Sequence, residues 1–441
     1  MLTATLTFIA TCDLVAAIRG RAIPTGEFAE RAAAGVGWVP ADLALTTFGE
    51  IGEPNPFGSL GDLRLVPAET TRISLAGHPA AGPVPERPAT ELVLASIAEI
   101  DGRPWRCCPR QTLIDAVAEI ERRGIGLKVA FEQEFHLEGL PGASAPPFSL
   151  EAHRRAEPFG SALMEALAAN GLEPETWLPE YGLDQYEITV APTDPLRAAD
   201  RAILVRALVR DLATAHGLRA SFVPLRSANA VGNGVHVHVS LWSPDGEPDT
   251  VAADGTLTRQ AGAFAAGILA HAGALVAWTA PSAISGLRLR PHRWSAAAAF
   301  VGRQNREAML RLAPMPTIGG ADPGLAANLE YRACDASANP WLAVAAIIRA
   351  GLAGLDAGLP APPVIEGELE DLTAAERARL GIEQLPSDLA EALAALDADP
   401  VGRSWFDPDL LATHLGIRRT EERLLAGVSP DERCRRYADV L

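Results

Sequence analysis

Three pairs of polar residues, each separated by one residue, constrain the fold of this 441-residue chain more than any other feature. Each pair interrupts an apolar, strand-like segment, and the pairs are Glu132/Glu134, His236/His238 and Glu330/Arg332. Alternate residues of a strand point to the same face of a sheet, so each pair places two polar groups side by side. Two neighbouring glutamates repel each other unless a cation lies between them. The sequence therefore predicts a sheet that carries a cation site on one face.

The residue types in this polar set indicate the kind of cation. Valines alternate with the two histidines and make the other face of that strand apolar, so the histidines must meet another part of the protein. Glu180 and Glu187 flank a glycine-containing turn and add two carboxylates. Carboxylates with one histidine suit Mg²⁺ or Mn²⁺ better than a closed zinc site. Taken alone, the Glu132/Glu134 pair also fits a solvated strand face.

Arginines supply positive charge that matches such a site. Arg303, Arg306 and Arg311 lie close together in the sequence, with Arg288 and Arg332 further away. Guanidinium groups bind phosphate and carboxylate oxygens in a forked geometry, and metal sites that hold nucleotide phosphates often combine them with carboxylates. A run of arginines is also typical of a solvated helix face. The chain has no GxxxxGK[ST] loop, which argues against a P-loop kinase.

The length of the chain suggests two or three domains, at about 150 residues each. Residues 1–108 alternate short apolar runs with Gly and Pro, which predicts a small β-rich domain. Pro109 opens an amphipathic helix, so we place a boundary there and assign residues 109–441 to a larger domain. In that domain the patterns predict strands near 127–137, 186–190, 219–224 and 234–242, and helices near 150–169, 195–216, 262–283 and 340–355. The predicted fold class is α+β.

Charge and cysteine usage exclude some functions. The formal net charge of −17 argues against nonspecific binding to nucleic acid or to an anionic membrane. The five cysteines are irregularly spaced, so we expect no disulfide framework or CxxC zinc site, and a reducing cytoplasm fits best. Residues 262–283 are long and apolar enough for a membrane span, but their Ala/Gly-rich composition and His271 favour a buried helix.

A series of short motifs resembles the glutamine synthetase family, in particular its γ-glutamylamine ligase branch. The motifs are Cys12-Asp13-Leu14 with Arg19-Gly20-Arg21, Glu132-Gln133-Glu134-Phe135, Glu180-Tyr181-Gly182-Leu183-Asp184-Gln185-Tyr186-Glu187, Gly232–Trp242, Asn305-Arg306 with Arg311, Glu330-Tyr331-Arg332 and Ala338-Asn339-Pro340-Trp341. Each motif alone is weak, but all follow in the family's order across nearly the whole chain. The resemblance implies a small N-terminal β-grasp domain and a large catalytic domain with a curved antiparallel sheet.

The resemblance also implies metal and nucleotide ligands. The metal nearer the amino-acid substrate would be held by Glu134, Glu180 and Glu187. The metal nearer the ATP phosphates would be held by Glu132, His236 and Glu330. The nucleotide side would be lined by His238, Ser240 and Glu175. The implied cofactors are therefore ATP and two or more Mg²⁺ or Mn²⁺ ions.

The remaining matches imply substrate contacts and a two-step reaction. Arg306 and Arg311 would hold the transferring phosphate, and Arg311 would also contact the nucleotide. The amino-acid substrate would be bound by Arg288, Arg332 and the Gly232 backbone. The glutamate side chain would attack the ATP γ-phosphate to give γ-glutamyl phosphate, and an amine would then displace phosphate. The family association is a ring, usually two stacked hexamers, in which a neighbour's N-terminal domain completes each site.

Departures from the family pattern bear on the amine. The family's flap glutamate falls near Trp294, and its FDGS loop is replaced by a stretch near Phe48-Gly49-Glu50. Losing both acids argues against ammonia and for a larger amine. Trp294, together with the Ala-rich segment 295–299, favours a less polar amine, whereas the net negative charge favours a cationic polyamine. Three further departures are Asn328 for an arginine, Val231 for an asparagine and Asp184 for a glycine.

Three alternatives stay open from the sequence. One is an ordinary glutamine synthetase that uses ammonia, which the two lost acids disfavour. Another is a non-catalytic regulator that binds nucleotide or amino acid, which the full set of metal ligands disfavours. The last is a metal-dependent amidohydrolase acting on a γ-glutamyl amide, which would need no ATP.

Overall fold

The computed structural model describes residues 5–78 and 86–441. Its strands are β1 (Leu6–Cys12), β2 (Ile18–Pro24), β3 (Val36–Trp38), β4 (Leu63–Pro67), β5 (Ile73–Leu75), β6 (Thr90–Glu99), β7 (Gly126–Glu138), β8 (Pro174–Pro179), β9 (Gln185–Val190), β10 (Arg219–Ser221), β11 (Val235–Trp242), β12 (Ala298–Arg303), β13 (Ala308–Leu312), β14 (Leu329–Tyr331), β15 (Val364–Ile365) and β16 (Glu383–Gln384). Its α-helices are α1 (Phe28–Ala34), α2 (Pro109–Glu121), α3 (Leu150–Arg155), α4 (Phe159–Ala169), α5 (Pro195–Ala215), α6 (Arg259–Ala270), α7 (Ala272–Thr279), α8 (Ser285–Arg288), α9 (Pro323–Ala326), α10 (Pro340–Asp356), α11 (Ala374–Arg379), α12 (Leu389–Ala398), α13 (Pro400–Arg403), α14 (Pro408–Leu424) and α15 (Pro430–Ala438).

The N-terminal part of the chain forms a six-stranded mixed sheet in the order β2-β1-β6-β4-β3, with β5 on β6. Strand β1 pairs antiparallel with β2 and parallel with β6. The Pro-, Ala- and Gly-rich composition of residues 77–88 predicts a loop within this domain, and part of it lies outside the described residues, because 79–85 are not among them. The predicted fold class, α+β with a small N-terminal β domain and a larger domain of sheet and helices, is confirmed.

The larger sheet has ten strands, in the order β15-β12-β13-β14-β11-β7-β9-β8, with β10 on β7 and β16 on β12. Its central strands β14, β11, β7 and β9 are antiparallel, as expected. At one edge of the sheet, β12 pairs in parallel with β13 and β15. Strand β15 is reached through the long helix α10, which provides the crossover for its parallel pairing with β12.

The register of the central strands brings the predicted polar residues together. His236 on β11 lies opposite Glu132 on β7, and Glu134 on β7 lies opposite Glu187 on β9. His238 lies opposite Glu330 on β14. Residues directly opposite each other point to the same face. One face of the sheet therefore carries the polar set, while the other face packs against helices.

Gln133 shows how the opposite face is fixed. It lies between the two glutamates of β7, is buried, and accepts a hydrogen bond of 2.7 Å from Arg206 Nε on α5. Its amide donates to the Ala202 carbonyl at 3.1 Å. Because helix α5 is attached to one face of the sheet in this way, the neighbouring glutamates Glu132 and Glu134 are held on the other face.

Two long predicted helices are broken in the structure. The helix expected at 150–169 is α3 followed by α4, because Pro158 lacks an amide hydrogen and cannot continue α3. The helix expected at 262–283 is α6 followed by α7, bent by 77°. The described chain has no single helix that is long and apolar enough to cross a membrane, and this bent pair alone passes the length and composition test. Most of its residues are buried within the protein, as predicted.

Candidate active site

The polar face of the larger sheet opens into a cavity of about 820 Å³. A second compartment of about 450 Å³ lies on the other side of Glu132, whose side chain lines both. We call the cavity face of the sheet the carboxylate floor, comprising Glu132, Glu134, Glu187, His236 and Glu330. All five of these residues come from the four central strands β7, β9, β11 and β14.

The floor offers two groups of ligand atoms, each within 4.8 Å of one another. One group is Glu132, His236 and Glu330, the set expected for the metal nearer the phosphates. The other group is Glu134, Glu187 and His236. Glu180 lines the same cavity but lies outside both groups, and its Oε2 accepts from the Tyr181 amide at 3.0 Å.

The electrostatics of the floor fit a divalent cation. Burial and the charge of Glu180 raise the pKa of Glu134 to about 8. Burial and the charges of Glu132 and Glu134 raise the pKa of Glu187 to about 10. These shifts mark carboxylates that lack enough positive charge around them. A metal with oxygen preference would supply that charge at the positions where the oxygens converge.

Arginines surround Glu330 at the edge of the floor. Arg311 Nη1 donates to Glu330 Oε2 at 2.7 Å, and Arg332 contacts the other carboxylate oxygen. Burial alone would raise the pKa of Glu330, but Arg332 lowers it to about 2. The Nε atoms of Arg288 and Arg311 are buried with no hydrogen-bond partner among the described residues. Since both arginines line the cavity, these unpaired donors fit an anionic ligand.

The other predicted arginines divide into two groups. Arg306 is exposed and lines the cavity, while its carbonyl accepts from Arg332 Nε at 2.9 Å. Arg288 is held by the Ala333 and Cys334 carbonyls, at 2.7 and 2.8 Å. Arg303 instead pairs with Glu366 at 3.2 Å. Because Arg303 and Arg311 lie on strands β12 and β13, with Arg306 in the turn between them, the interpretation of this run as a helix face is wrong.

The second compartment contains the residues expected on the nucleotide side. His238, Ser240 and Glu175 all line it. His238 Nε2 lies 3.1 Å from Glu132 Oε1, and the two together connect this compartment with the floor. Although burial lowers it, the pKa of His238 is raised to about 9 by Glu132. Lys128 lies 3.3 Å from the centre of the Trp242 ring and adds a cation to the compartment.

Gln185 fixes the backbone at Gly232. That backbone was predicted to bind the amino group of the amino-acid substrate. Gln185 Nε2 donates to the Gly232 carbonyl and to Asn233 Oδ1, each at 2.8 Å. The same atom lies 3.3 Å from Glu134 Oε2. A Cβ at Gly232 would lie 2.6 Å from Arg288 Cγ, so no larger residue fits here. Sequence reasoning quoted Gln185 within a motif but gave it no role.

Two departures from the family pattern have a structural account. Asp184 adopts φ +52°, a left-handed conformation in which glycine is favoured, and its carboxylate accepts from Arg155 Nε at 2.7 Å. Asn328 accepts from His238 Nδ1 at 2.8 Å, so it orients that ring where an arginine was expected. Val231 lines the cavity, and nothing in the structure explains its replacement.

Trp294 lies at the cavity mouth and is 60 % exposed. Its ring lies 5.8 Å from that of Tyr181, which in turn lies 6.5 Å from Phe148. We call these three side chains the aromatic wall. Phe148 carried no sequence signal, and Tyr181 was identifiable only as a neighbour of Glu180. The alanines at 296–299 do not contribute to the wall, because they are buried and do not line the cavity.

The Phe48-Gly49-Glu50 stretch does not line this cavity. Phe48 packs against Tyr437 with ring centres 5.0 Å apart, and the Thr47 amide donates to Glu421 Oε1 at 2.8 Å. Helix α14 therefore holds this loop away from the floor of its own chain. Within the described residues, the cavity lining comes entirely from positions 132–332.

Two groups of candidate metal ligands between two compartments, one of them lined by arginines, fit an enzyme that transfers a phosphoryl group between two bound substrates. The chain matches the family description "Glutamine synthetase, catalytic domain" over residues 106–437 and "Glutamine synthetase N-terminal domain" over residues 3–105. It belongs to the glutamine synthetase family and is a ligase.

Relatives place the chain near the branch that the motifs indicated. The γ-glutamylpolyamine synthetase GlnA3 of Streptomyces coelicolor is 36 % identical, over 96 % of this chain and 91 % of that protein. The glutamine synthetase of Pyrococcus furiosus is 34 % identical, over 68 % of each chain. The crystal structure of a novel glutamine synthase homolog superposes with a TM-score of 0.91 at 42 % identity, covering 100 % of this chain and 99 % of that one.

Proposed function

We propose that this ligase joins the γ-carboxylate of glutamate to a primary organic amine, with ATP as the phosphoryl donor. The observation that carries the proposal is the cross-strand register, which aligns the floor residues between the two compartments. A nucleotide in the smaller compartment would direct its terminal phosphate past Glu132 toward the larger cavity. An amino acid in the larger cavity would meet it over the floor.

Each step has residues suited to it. The floor residues would hold Mg²⁺ or Mn²⁺, which neutralises phosphate charge when bound. Arg306 and Arg311 would bind the transferring phosphoryl group, and Arg288 and Arg332 the amino-acid carboxylates. The glutamate carboxylate attacks the γ-phosphorus and releases ADP, and the amine nitrogen then attacks the acyl carbon and releases phosphate.

Ammonia is the less favoured nitrogen source. Trp294 occupies the position where the family carries an acid, and an indole accepts no proton from ammonium. The aromatic wall instead gives the mouth a large apolar surface. The name of the Streptomyces relative makes a polyamine one candidate, and the wall equally suits amines with an alkyl or aryl group.

A ring of identical subunits is part of the proposal. The cavity lining includes no residue from 5–78 or 86–105, which leaves room for a neighbouring copy's N-terminal domain to complete it. We also infer a reducing compartment, since all five cysteines are free. Sedimentation of the purified full chain would test the ring, and a monomer that turns over would contradict the shared site.

The decisive experiment measures ADP release with ATP, Mg²⁺ and glutamate across a panel of amines, with product masses. The panel contains ammonium, methylamine, ethanolamine, pentylamine, putrescine, spermine and aniline. Turnover with organic amines above that with ammonium supports the proposal. Turnover chiefly with ammonium indicates an ordinary glutamine synthetase. Hydrolysis of a γ-glutamyl amide without ATP indicates an amidohydrolase, and nucleotide binding without any turnover indicates a regulator.

A further inference from the structure

Three aromatic side chains are exposed together at the mouth of the cavity. Phe148, Tyr181 and Trp294 are 51, 55 and 60 % exposed, and neighbouring rings lie 6.5 and 5.8 Å apart. They come from three different loops, so no regular element forces them into contact. A continuous apolar surface of this kind costs free energy in water and marks a surface that binds a ligand or a partner, and this one lines the cavity.

The backbone that carries Trp294 is held in a strained conformation. His292 and Trp294 adopt φ values of +60° and +51°, which non-glycine residues rarely do. Their amides donate to the two oxygens of a single carboxylate, Glu307, at 3.1 and 2.9 Å. Arg332 Nη2 donates to the Trp294 carbonyl at 2.9 Å. Three hydrogen bonds therefore hold the backbone in this strained conformation. Strain maintained in this way indicates that the position of the Trp294 side chain serves a function.

Arg332 connects this loop to the floor. The guanidinium that holds the Trp294 carbonyl also contacts Glu330 and the Arg306 carbonyl. The indole is therefore fixed relative to the position where the acyl group would form. A molecule whose nitrogen reaches the floor would extend its other end along the aromatic wall.

Two carboxylates near the wall, those of Asp184 and Glu307, are already engaged. Asp184, in the turn after Tyr181, pairs with Arg155 at 2.7 Å. Glu307 accepts the two backbone amides. Arg293 and Arg306 bring positive charge to the same cavity. The wall itself offers ring faces, and ring faces bind methylene chains and, more weakly, cations.

Resting on the proposed function, we propose that the aromatic wall is the specificity site for the amine. It binds the carbon chain of a primary amine while the amine nitrogen faces the acyl group. Glu307 is a positioning residue that acts through Trp294. The far end of the amine's carbon chain is either a methyl group or a second ammonium group. In both cases the carbon chain makes the same contact with the aromatic rings.

The test compares amines of different length on Trp294→Ala. Truncating the indole removes apolar contact with the chain, so the KM for pentylamine and for cadaverine rises roughly tenfold or more. The KM for methylamine, for glutamate and for ATP changes little, because none of them reaches the wall. Phe148→Ala gives the same pattern more weakly. Leu183→Ala is the matched control, since Leu183 is 61 % exposed in the same turn but does not line the cavity.

Variants at Glu307 test positioning. Glu307→Ala releases both strained amides and raises the KM for pentylamine without a matching change for methylamine. Glu307→Gln keeps one acceptor oxygen and gives an intermediate value. A purely structural role would lower kcat for all amines together.

The failures are separable. If unsubstituted protein releases no ADP with any amine, the proposed function is wrong and this inference falls with it. If it turns over pentylamine and Trp294→Ala leaves that KM unchanged, or changes the methylamine KM by the same factor, only the aromatic wall is wrong. A preference for pentylamine over cadaverine identifies an apolar chain end, and the reverse a cationic one. Either ranking supports the wall when Trp294→Ala weakens both.

Discussion

The carboxylate floor and the aromatic wall border the same cavity but are built in opposite ways. The floor is borne by antiparallel strands, where cross-strand register alone positions its side chains. The wall is borne by loops, and Phe148 and Trp294 both lie at positive φ. Regular strands hold the groups that every such reaction needs, whereas irregular loops hold the groups that distinguish one amine from another. Chemistry and specificity are thus separated by the kind of backbone that carries them.

The largest effect is expected from a floor variant. Glu187→Gln removes a carboxylate where oxygens converge, so kcat for ADP release should fall by about 10² or more for every amine. Steady-state assays at saturating glutamate would measure it. Glu138→Gln, on the same sheet but paired with Arg219 and Arg226, is the control and should retain activity. If kcat of the Glu187→Gln variant fell only with long amines, the floor would also act on amine choice, and the distinction between floor and wall would be wrong.

A wall variant should instead alter the choice of amine. Trp294→Glu exchanges an apolar ring for an acid that can attract a small cation, so the ratio of ammonium to pentylamine turnover should rise roughly tenfold. Competition between the two amines, read as product ratio by mass spectrometry, measures this directly. An unchanged ratio together with lower overall turnover would show that Trp294 acts on the chemistry as well.

The turn that carries Tyr181 should depend on Asp184 for stability. Asp184→Ala leaves Arg155 without its ion-pair partner and places alanine at φ +52°, so the free energy of unfolding should fall by about 2 kcal/mol. Asp184→Gly keeps the backbone conformation and should lose less. Urea denaturation would compare the two. A glycine variant no more stable than the alanine variant would show that backbone strain is unimportant here.

The smallest effect concerns the floor without metal. Burial and the charges of Glu132 and Glu134 raise the pKa of Glu187 to about 10, so near pH 7 this group must take up a proton when the metal-free protein folds, which costs free energy. Glu187→Gln needs no proton, so in EDTA it should raise the free energy of unfolding by about 1 kcal/mol. Added Mg²⁺ should stabilise the unsubstituted protein more than the variant. Thermal unfolding with and without Mg²⁺ measures both. A variant that is less stable in EDTA would mean that Glu187 is not under repulsion.

Much of the floor could be predicted from the sequence, because strand alternation is a local rule. Glu132 and Glu134 had to share a face, and so did His236 and His238. Alternation cannot give the register between strands, which places Glu134 opposite Glu187 and His238 opposite Glu330. Register depends on packing against distant elements such as helix α5. The metal and substrate roles carried over from the family stay predictions.

The sequence by itself determined the fold class, the family and the order of the motifs. These rest on local residue patterns, which do not depend on how the strands and helices pack against one another. Only the tertiary structure decided which helices break, where the loop at Phe48 is held, and that Phe148, Tyr181 and Trp294 meet. No sequence periodicity predicts the aromatic wall, since its residues come from separate loops. Its geometry is set by long-range hydrogen bonds, chiefly those of Glu307, Arg332 and Arg155, which exist only in the folded chain.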